Sequence, residues 1–228
     1  MKKLIFSAVL AMTASLSAGP ENDLMLGSVV KSEKWRMDRV NGNDRMFYDG
    51  AVSFRNAVYS LKANHAVNDR KTRIWTINGS VYCLRKFMDG SNIEIYCDNG
   101  IYRENLERAE LFRGKELIRV KHLSPEGKVL KGRCDRIDAD NVKATMDFLG
   151  NFYLETETME IFSANGLYSD FEKSFLIYDS TPVAVGTREG RDFAMTGEKM
   201  KYFRDTGDVR LYNNVAGWVK AAKTPAQN

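Results

Sequence analysis

Ile93-Glu94-Ile95-Tyr96-Cys97-Asp98-Asn99-Gly100-Ile101-Tyr102 aligns without a gap on Met159-Glu160-Ile161-Phe162-Ser163-Ala164-Asn165-Gly166-Leu167-Tyr168, 66 residues further on. Five positions are identical and most of the others are close. Self-similarity at a fixed spacing marks a repeat architecture, in which each unit buries its apolar face against the next. Half that offset finds weaker copies at 59–68, 130–139 and 193–202. A small residue occupies the fifth position of each copy: Ala63, Cys97, Cys134, Ser163 and Gly197. The chain therefore reads as about five units of 29 to 37 residues.

Within each unit the residues alternate at period two, which predicts a strand with one buried face. Tyr59, Leu61 and Ala63 point one way, as do Ile93, Ile95 and Cys97; Leu130, Gly132 and Cys134; Met159, Ile161 and Ser163; and Phe193, Met195 and Gly197. The opposite face carries Lys62, Glu94, Asp98, Lys131, Arg133, Glu160 and Glu198 among its residues, and is predicted to meet water. The inward column narrows from a large residue to Ala, Cys, Ser or Gly, so stacked copies would build a tapered apolar wall.

Further strands are predicted at 51–54, 72–84, 109–120, 145–155, 174–185 and 209–219, where β-branched and aromatic residues are dense. Turn signals, including Asp49-Gly50, Asn78-Gly79, Asp89-Gly90, Glu126-Gly127, Leu149-Gly150-Asn151, Arg188-Glu189-Gly190 and Thr206-Gly207, are read as separators between them. Residues 28–38 fit either a helical turn or an edge strand. The fold expected is all-β, a single domain over 24–219 built from two strands per repeat, followed by a polar tail at 220–228. A rolled sheet of this kind does not close, so it leaves an edge at each end, here placed near 40–54 and 209–219.

Residues 1–18 have the form of an export signal: Lys2 and Lys3, an apolar run over 4–16, a small-residue end and the break Gly19-Pro20. Leu16 is a poor residue three places before a cut at Ala18, so a retained inner-membrane anchor is the alternative to a cleaved signal. Basic residues number 34 against 30 acidic, too even for a protein whose task is gripping nucleic acid phosphates. With 43% hydrophobic and 28% charged residues the chain has a globular composition, not a disordered one. Three cysteines allow at most one bridge, and Cys97 with Cys134, at one repeat position in successive units, is the candidate pair.

Catalytic constellations are weak. The two histidines, His65 and His122, sit in no nucleophile elbow and read as surface or turn residues, and no phosphate loop is present. Asp135, Asp138 and Asp140 form the densest acidic cluster but lack the pattern of a calcium loop, so no metal site is expected. Glu94 and Glu160 could serve as a glycosidase acid and base, making a periplasmic carbohydrate-active β-solenoid enzyme the hypothesis from another class. Their recurrence at one repeat position on the polar face favours a surface role. No cofactor is called for. The apolar inner face itself admits two readings, an ordinary sandwich core or a groove for acyl chains. Burying about a dozen methylenes at ~0.8 kcal/mol each would contribute on the order of 10 kcal/mol.

Gly50-Ala51-Val52, then Leu61-Lys62-Ala63-Asn64-His65-Ala66-Val67-Asn68, then Asn78-Gly79-Ser80-Val81 resembles the repeat of the periplasmic lipopolysaccharide transport family, the LptA/OstA-like and LptC-like domains. The stretch 95–102 is similar to a second copy, and 193–202 with 211–215 resembles the closing strands of such domains. Asn64 and Ala164 depart from the acidic residue usual there. The resemblance covers about 45–219 and implies an elongated open β-jellyroll, non-catalytic, whose interior shelters the acyl chains of lipopolysaccharide or lipid A. It further implies edge-to-edge pairing with other jellyroll proteins of that pathway or with a second copy. On that basis the inward set, Tyr59, Leu61, Ala63, Ile93, Ile95, Cys97, Leu130, Met159, Ile161, Phe193 and Met195, is expected to touch lipid, in an exported, periplasmic protein that is LptC-like if the N-terminus stays anchored.

Overall fold

The computed structural model describes residues 29–40, 42–56 and 58–221. The export signal or anchor expected at 1–18 lies outside the described residues, as does the tail beyond 221. Six long strands form the middle of the chain: β3 (Asn43–Arg55), β4 (Tyr59–Asp69), β5 (Ile74–Lys86), β6 (Asn92–Arg103), β11 (Thr145–Glu155) and β12 (Met159–Ser169). Shorter strands come in pairs that together equal one long strand. They are β1 (Val29–Lys31) with β2 (Lys34–Val40), β8 (Ile118–Leu123) with β7 (Arg108–Phe112), and β9 (Val129–Cys134) with β10 (Arg136–Asp140). Later come β14 (Val183–Arg188) with β13 (Ser174–Tyr178), β15 (Arg191–Thr196) with β16 (Lys199–Phe203), and β18 (Ala216–Ala221) with β17 (Val209–Tyr212).

Every rung, long or paired, runs antiparallel to the next and bends in its middle, so the pairings sort into two layers joined along a spine of bends. The first layer holds β2, one half of each long strand, and β7, β10, β13, β16 and β17. The second holds β1, the other halves, and β8, β9, β14, β15 and β18. The result is an all-β, elongated jellyroll, open at both ends. The five repeat copies of the sequence fall on alternate rungs, β4, β6, β9/β10, β12 and β15/β16, and β1/β2 adds a pair before them.

The bends explain the small fifth residue. Where the two layers converge there is no room inside: Ala63, Cys97 and Cys134 are buried there, and a Cβ on Gly197 would stand 3.1 Å from the carbonyl oxygen of Tyr212. Intervening rungs bend through consecutive left-handed residues, Gly50 with Ala51, Gly79 with Ser80, and Gly150 with Asn151. These glycines were expected in turns between strands. They lie instead inside continuous strands as bulges, because a bulge asks for the same positive φ as a hairpin turn. Asp89-Gly90, Glu126-Gly127 and Thr206-Gly207 do fall between strands.

Each bend glycine also faces a polar residue of the rung before it: Gly79 faces Asn64, Gly114 faces Asp98 and Gly150 faces Asp135. Ala164 has no such side chain. Its N–H instead donates to Ser180 Oγ at 2.8 Å, and the carboxylate is supplied by Asp179, which accepts from Asn165 Nδ2 at 3.0 Å. The acid has moved to the adjacent rung. Gly150→Ala is expected to lower stability by about 1–2 kcal/mol in urea unfolding, since φ is +72° and the new Cβ would meet the Asp135 carboxylate. Gly90→Ala, at φ +87° with nothing within 4 Å, should lose less.

At the start of the stack the described part of 28–38 forms strands, 29–31 and 34–38, and no helix, so the first edge is β1 with β2 rather than 40–54. β3 is covered because β1 pairs with its second half and β2 with its first. At the other end β17 and β18 form the edge, as expected from 209–219.

Candidate functional site

Leu61, Ile95, Ile161 and Met195 sit on alternate rungs of one inward row of the second layer. Cys83, Val120, Leu154 and Ala184 lie in the same row, each directly opposite a neighbour. Tyr59, Ile93, Leu130, Met159 and Phe193 form the next row, nearer the free margin, and Ala63 and Cys97 lie at the spine. Ala63, Ile95, Cys97, Leu130, Met159 and Ile161 are buried, while Tyr59, Leu61, Ile93, Phe193 and Met195 are half-buried.

Four of these residues come together at one void. Tyr59, Leu61, Ile93 and Ile95, with Cys83, face Ile77, Gly100, Tyr102, Ala109, Leu111 and Met146 of the first layer across a cavity of about 150 Å³. Leu130 and Ile93 border a second, smaller cavity of about 30 Å³ against Phe148, Tyr168 and Phe175. Ala63, Cys97, Met159, Ile161, Phe193 and Met195 line neither. The sequence reading missed the whole first-layer wall because alternation slips by one at each bend. In β4 the inward residues run Leu61, Ala63 and then Ala66, Asn68. The signal was in the repeat, where Gly100 with Tyr102 matches Gly166 with Tyr168.

At the margin two arginines reach the other layer, Arg85 from the marginal row of the second layer and Arg204 from just past the end of β16 in the first. Arg85 Nη1 stands 3.5 Å from Asn141 Oδ1, and its guanidinium lies 5.4 Å from the Tyr59 ring and 4.7 Å from that of Phe87. Arg204 Nη1 donates to Tyr168 Oη at 2.9 Å and to His122 Nε2 at 3.3 Å, while its Nε pairs with Asp205 at 2.8 Å. His122 is thus not the surface or turn residue expected, because its place in strand β8 turns it inward. His65 is exposed and bonds Asp49 at 2.9 Å.

Burial, and then the charge of Arg204, hold the His122 imidazole below its ordinary 6.5, against the opposing pull of Asp89, Asp205 and Asp170. The folded protein therefore keeps His122 neutral while the unfolded chain takes up a proton, so stability falls as pH drops below 6.5. Unfolding midpoints between about pH 7.5 and about pH 5.5 should show this slope, and His122→Gln should flatten it.

The other candidates disperse. Asp135 pairs with Arg113, Asp138 with Arg136 and Asp140 with Arg108, at 3.1, 2.7 and 2.9 Å. Among the described residues no group of three His, Cys, Asp or Glu side chains is placed to hold a metal. Glu94 and Glu160 are four strand spacings apart, roughly 19 Å, beyond the ~5–9.5 Å of a glycosidase pair. Cys97 and Cys134 are not on adjacent strands either, since β8 with Ile118 runs between β6 and β9. Two strand spacings exceed the ~7 Å a disulfide can bridge, and all three thiols are free. Burial pushes the Cys83 and Cys134 thiols up to about 12.

No family model and no curated protein sequence matches this chain. Among solved structures it is similar to the crystal structure of LptH, the LptA-homologous periplasmic component of the conserved lipopolysaccharide transport device from Pseudomonas aeruginosa. That match covers 85% of this chain and 94% of LptH at 11% identity, with a TM-score of 0.24. It transfers no residue role.

Proposed function

We propose that the protein is a non-catalytic, periplasmic lipid-binding bridge component of lipopolysaccharide export, holding acyl chains between its two layers and joining neighbours edge to edge. The observation that carries this reading is the apolar interior, which contains a void of about 150 Å³ and runs to solvent-facing apolar side chains at both ends of the stack. Lipopolysaccharide or lipid A is named as the cargo on the strength of the sequence resemblance. An apolar cavity of that volume stays dry and accepts a benzene-sized guest. A full acyl chain requires the layers to part at the margin, where Arg85 with Asn141 and Arg204 with His122 cross between them at 3.5 and 3.3 Å. The on-the-order-of 10 kcal/mol available from burying a dozen methylenes exceeds the ~0.5–3 kcal/mol that each such contact contributes. Titrating lipid A against a bound fluorescent acyl probe tests the proposal: saturable displacement supports it, and failure of the folded protein to take up either lipid removes it.

The edges support assembly. Trp35 and Met37 on β2 are 54% and 47% exposed, and Trp218 and Val219 on β18 are 56% and 67% exposed. Sheet edges bearing such side chains pair with other chains unless blocked. Trp218→Glu with Val219→Glu should abolish concentration-dependent self-association in analytical ultracentrifugation while leaving the unfolding free energy within about 0.5 kcal/mol of the parent. If the N-terminal segment is retained, the same groove serves an LptC-like, inner-membrane-anchored subunit. The mass of the mature chain separates the two roles.

A further inference from the structure

We propose that the outer face of the second layer carries a binding row for a linear anionic glycan, independent of the interior. Lys62, Tyr82, Tyr96, Arg119, Arg133, Tyr153 and Phe162 stand directly opposite one another, strand after strand, from β4 to β12. Tyr82 packs on Tyr96 at 5.1 Å and Tyr153 on Phe162 at 5.2 Å, with Tyr96 and Phe162 38% and 43% exposed. Between the two aromatic pairs lie the arginines, Arg119 5.3 Å from the Tyr96 ring and Arg133 4.5 Å from that of Tyr153.

The arginines centre a basic patch. Like charges directly opposite each other destabilise a sheet, yet Arg119 stands opposite Arg133 and, in the next row, Lys121 opposite Lys131, which is paired with Glu155 on its other side. Lys131 holds the Glu155 carboxyl below the usual range and the Arg133 charge helps, but the closer partner is the lysine. Glu155 is held by Lys131 at 2.6 Å, and Glu94 accepts from Tyr96 Oη at 3.2 Å. Two exposed guanidinium groups with no carboxylate at ion-pair distance among the described residues are complementary to an acid group of a ligand. The flanking rings offer faces for neutral sugar rings.

The shape of the charge selects the occupant. From Tyr82 to Phe162 the row crosses five strand spacings, roughly 24 Å, which suits an extended polymer. Acids bound the patch, Glu94, Glu155 and Glu160 toward the margin on either side of Lys121 and Lys131, and Asp98 and Asp135 toward the spine. A planar anionic membrane would press on those carboxylates, whereas a narrow chain follows the row alone. A single-stranded nucleic acid, with a phosphate on every nucleotide, needs a continuous basic groove, whereas Arg119, Lys121, Lys131 and Arg133 are confined to β8 and β9.

The test uses the full chain with hexagalacturonate, neutral maltohexaose, a thymidine oligonucleotide and phosphatidylglycerol vesicles. Hexagalacturonate should bind and be weakened tenfold or more by Arg119→Gln with Arg133→Gln. Tyr96→Ala with Phe162→Ala should weaken it similarly, with the unfolding midpoint of each variant recorded alongside, and maltohexaose should bind at least tenfold more weakly. Absence of hexagalacturonate binding, or equal affinity in a folded arginine variant, overturns the proposal. Tighter binding of the oligonucleotide or of the vesicles overturns it in favour of a nucleic acid or a membrane.

Discussion

Replacing Ile161 by aspartate should remove most of the protein's stability, whereas the same change one residue on, Phe162→Asp, should cost little. Ile161 is fully buried in β12, opposite Leu154 on one side and Ala184 on the other. The substitution forfeits about 2–5 kcal/mol of buried aliphatic contact and adds the cost of a carboxyl group with no partner, about 1–3 kcal/mol even if protonated. A loss of about 3–8 kcal/mol is comparable with the whole stability of an ordinary domain, about 5–15 kcal/mol. Urea unfolding should show a collapsed midpoint or no cooperative transition. Phe162 faces outward and is 43% exposed, so Phe162→Asp should shift stability by about 1 kcal/mol or less. Period two makes the two positions opposite in kind, and similar losses at both would mean that the register of β12 is wrong.

Ala109→Trp is expected to abolish acyl-chain uptake without unfolding the protein. Ala109 lies on the first-layer wall of the 150 Å³ cavity, across from Ile93 and Ile95, and an indole there takes the space a lipid would enter. Overpacking costs about 1–3 kcal/mol in a filled core, and less where a void receives the new atoms. Affinity for a fluorescent acyl probe should fall at least tenfold, about 1.4 kcal/mol, with a cooperative unfolding transition retained. Unchanged affinity in the folded variant would place the lipid elsewhere or nowhere.

Much of this architecture was legible at 93–102 and 159–168. Two-residue alternation placed Ile95 and Ile161 inside and Glu94, Lys131 and Glu160 outside, and the copies land on alternate rungs. The column narrowing to Ala63, Cys97 and Gly197 marked the spine. What stayed hidden follows from the bend itself. A bulge and a hairpin both ask for glycine at positive φ, so Gly50, Gly79 and Gly150 read as strand ends. The one-residue slip at each bend reversed the faces beyond it and concealed Gly100 and Tyr102. Equal repeat positions also do not mean adjacent strands: an intervening rung separates Cys97 from Cys134. His122 could not be placed by type, since only its partner Arg204, 82 residues away in sequence, shows that it spans the margin.

Native mass spectrometry of the protein extracted from the envelope of its producing cell tests the central claim most directly. The account predicts a population carrying the added mass of a lipid with fatty acyl chains, released by Ala109→Trp. A folded preparation with only the polypeptide mass, in wild type and variant alike, would contradict it.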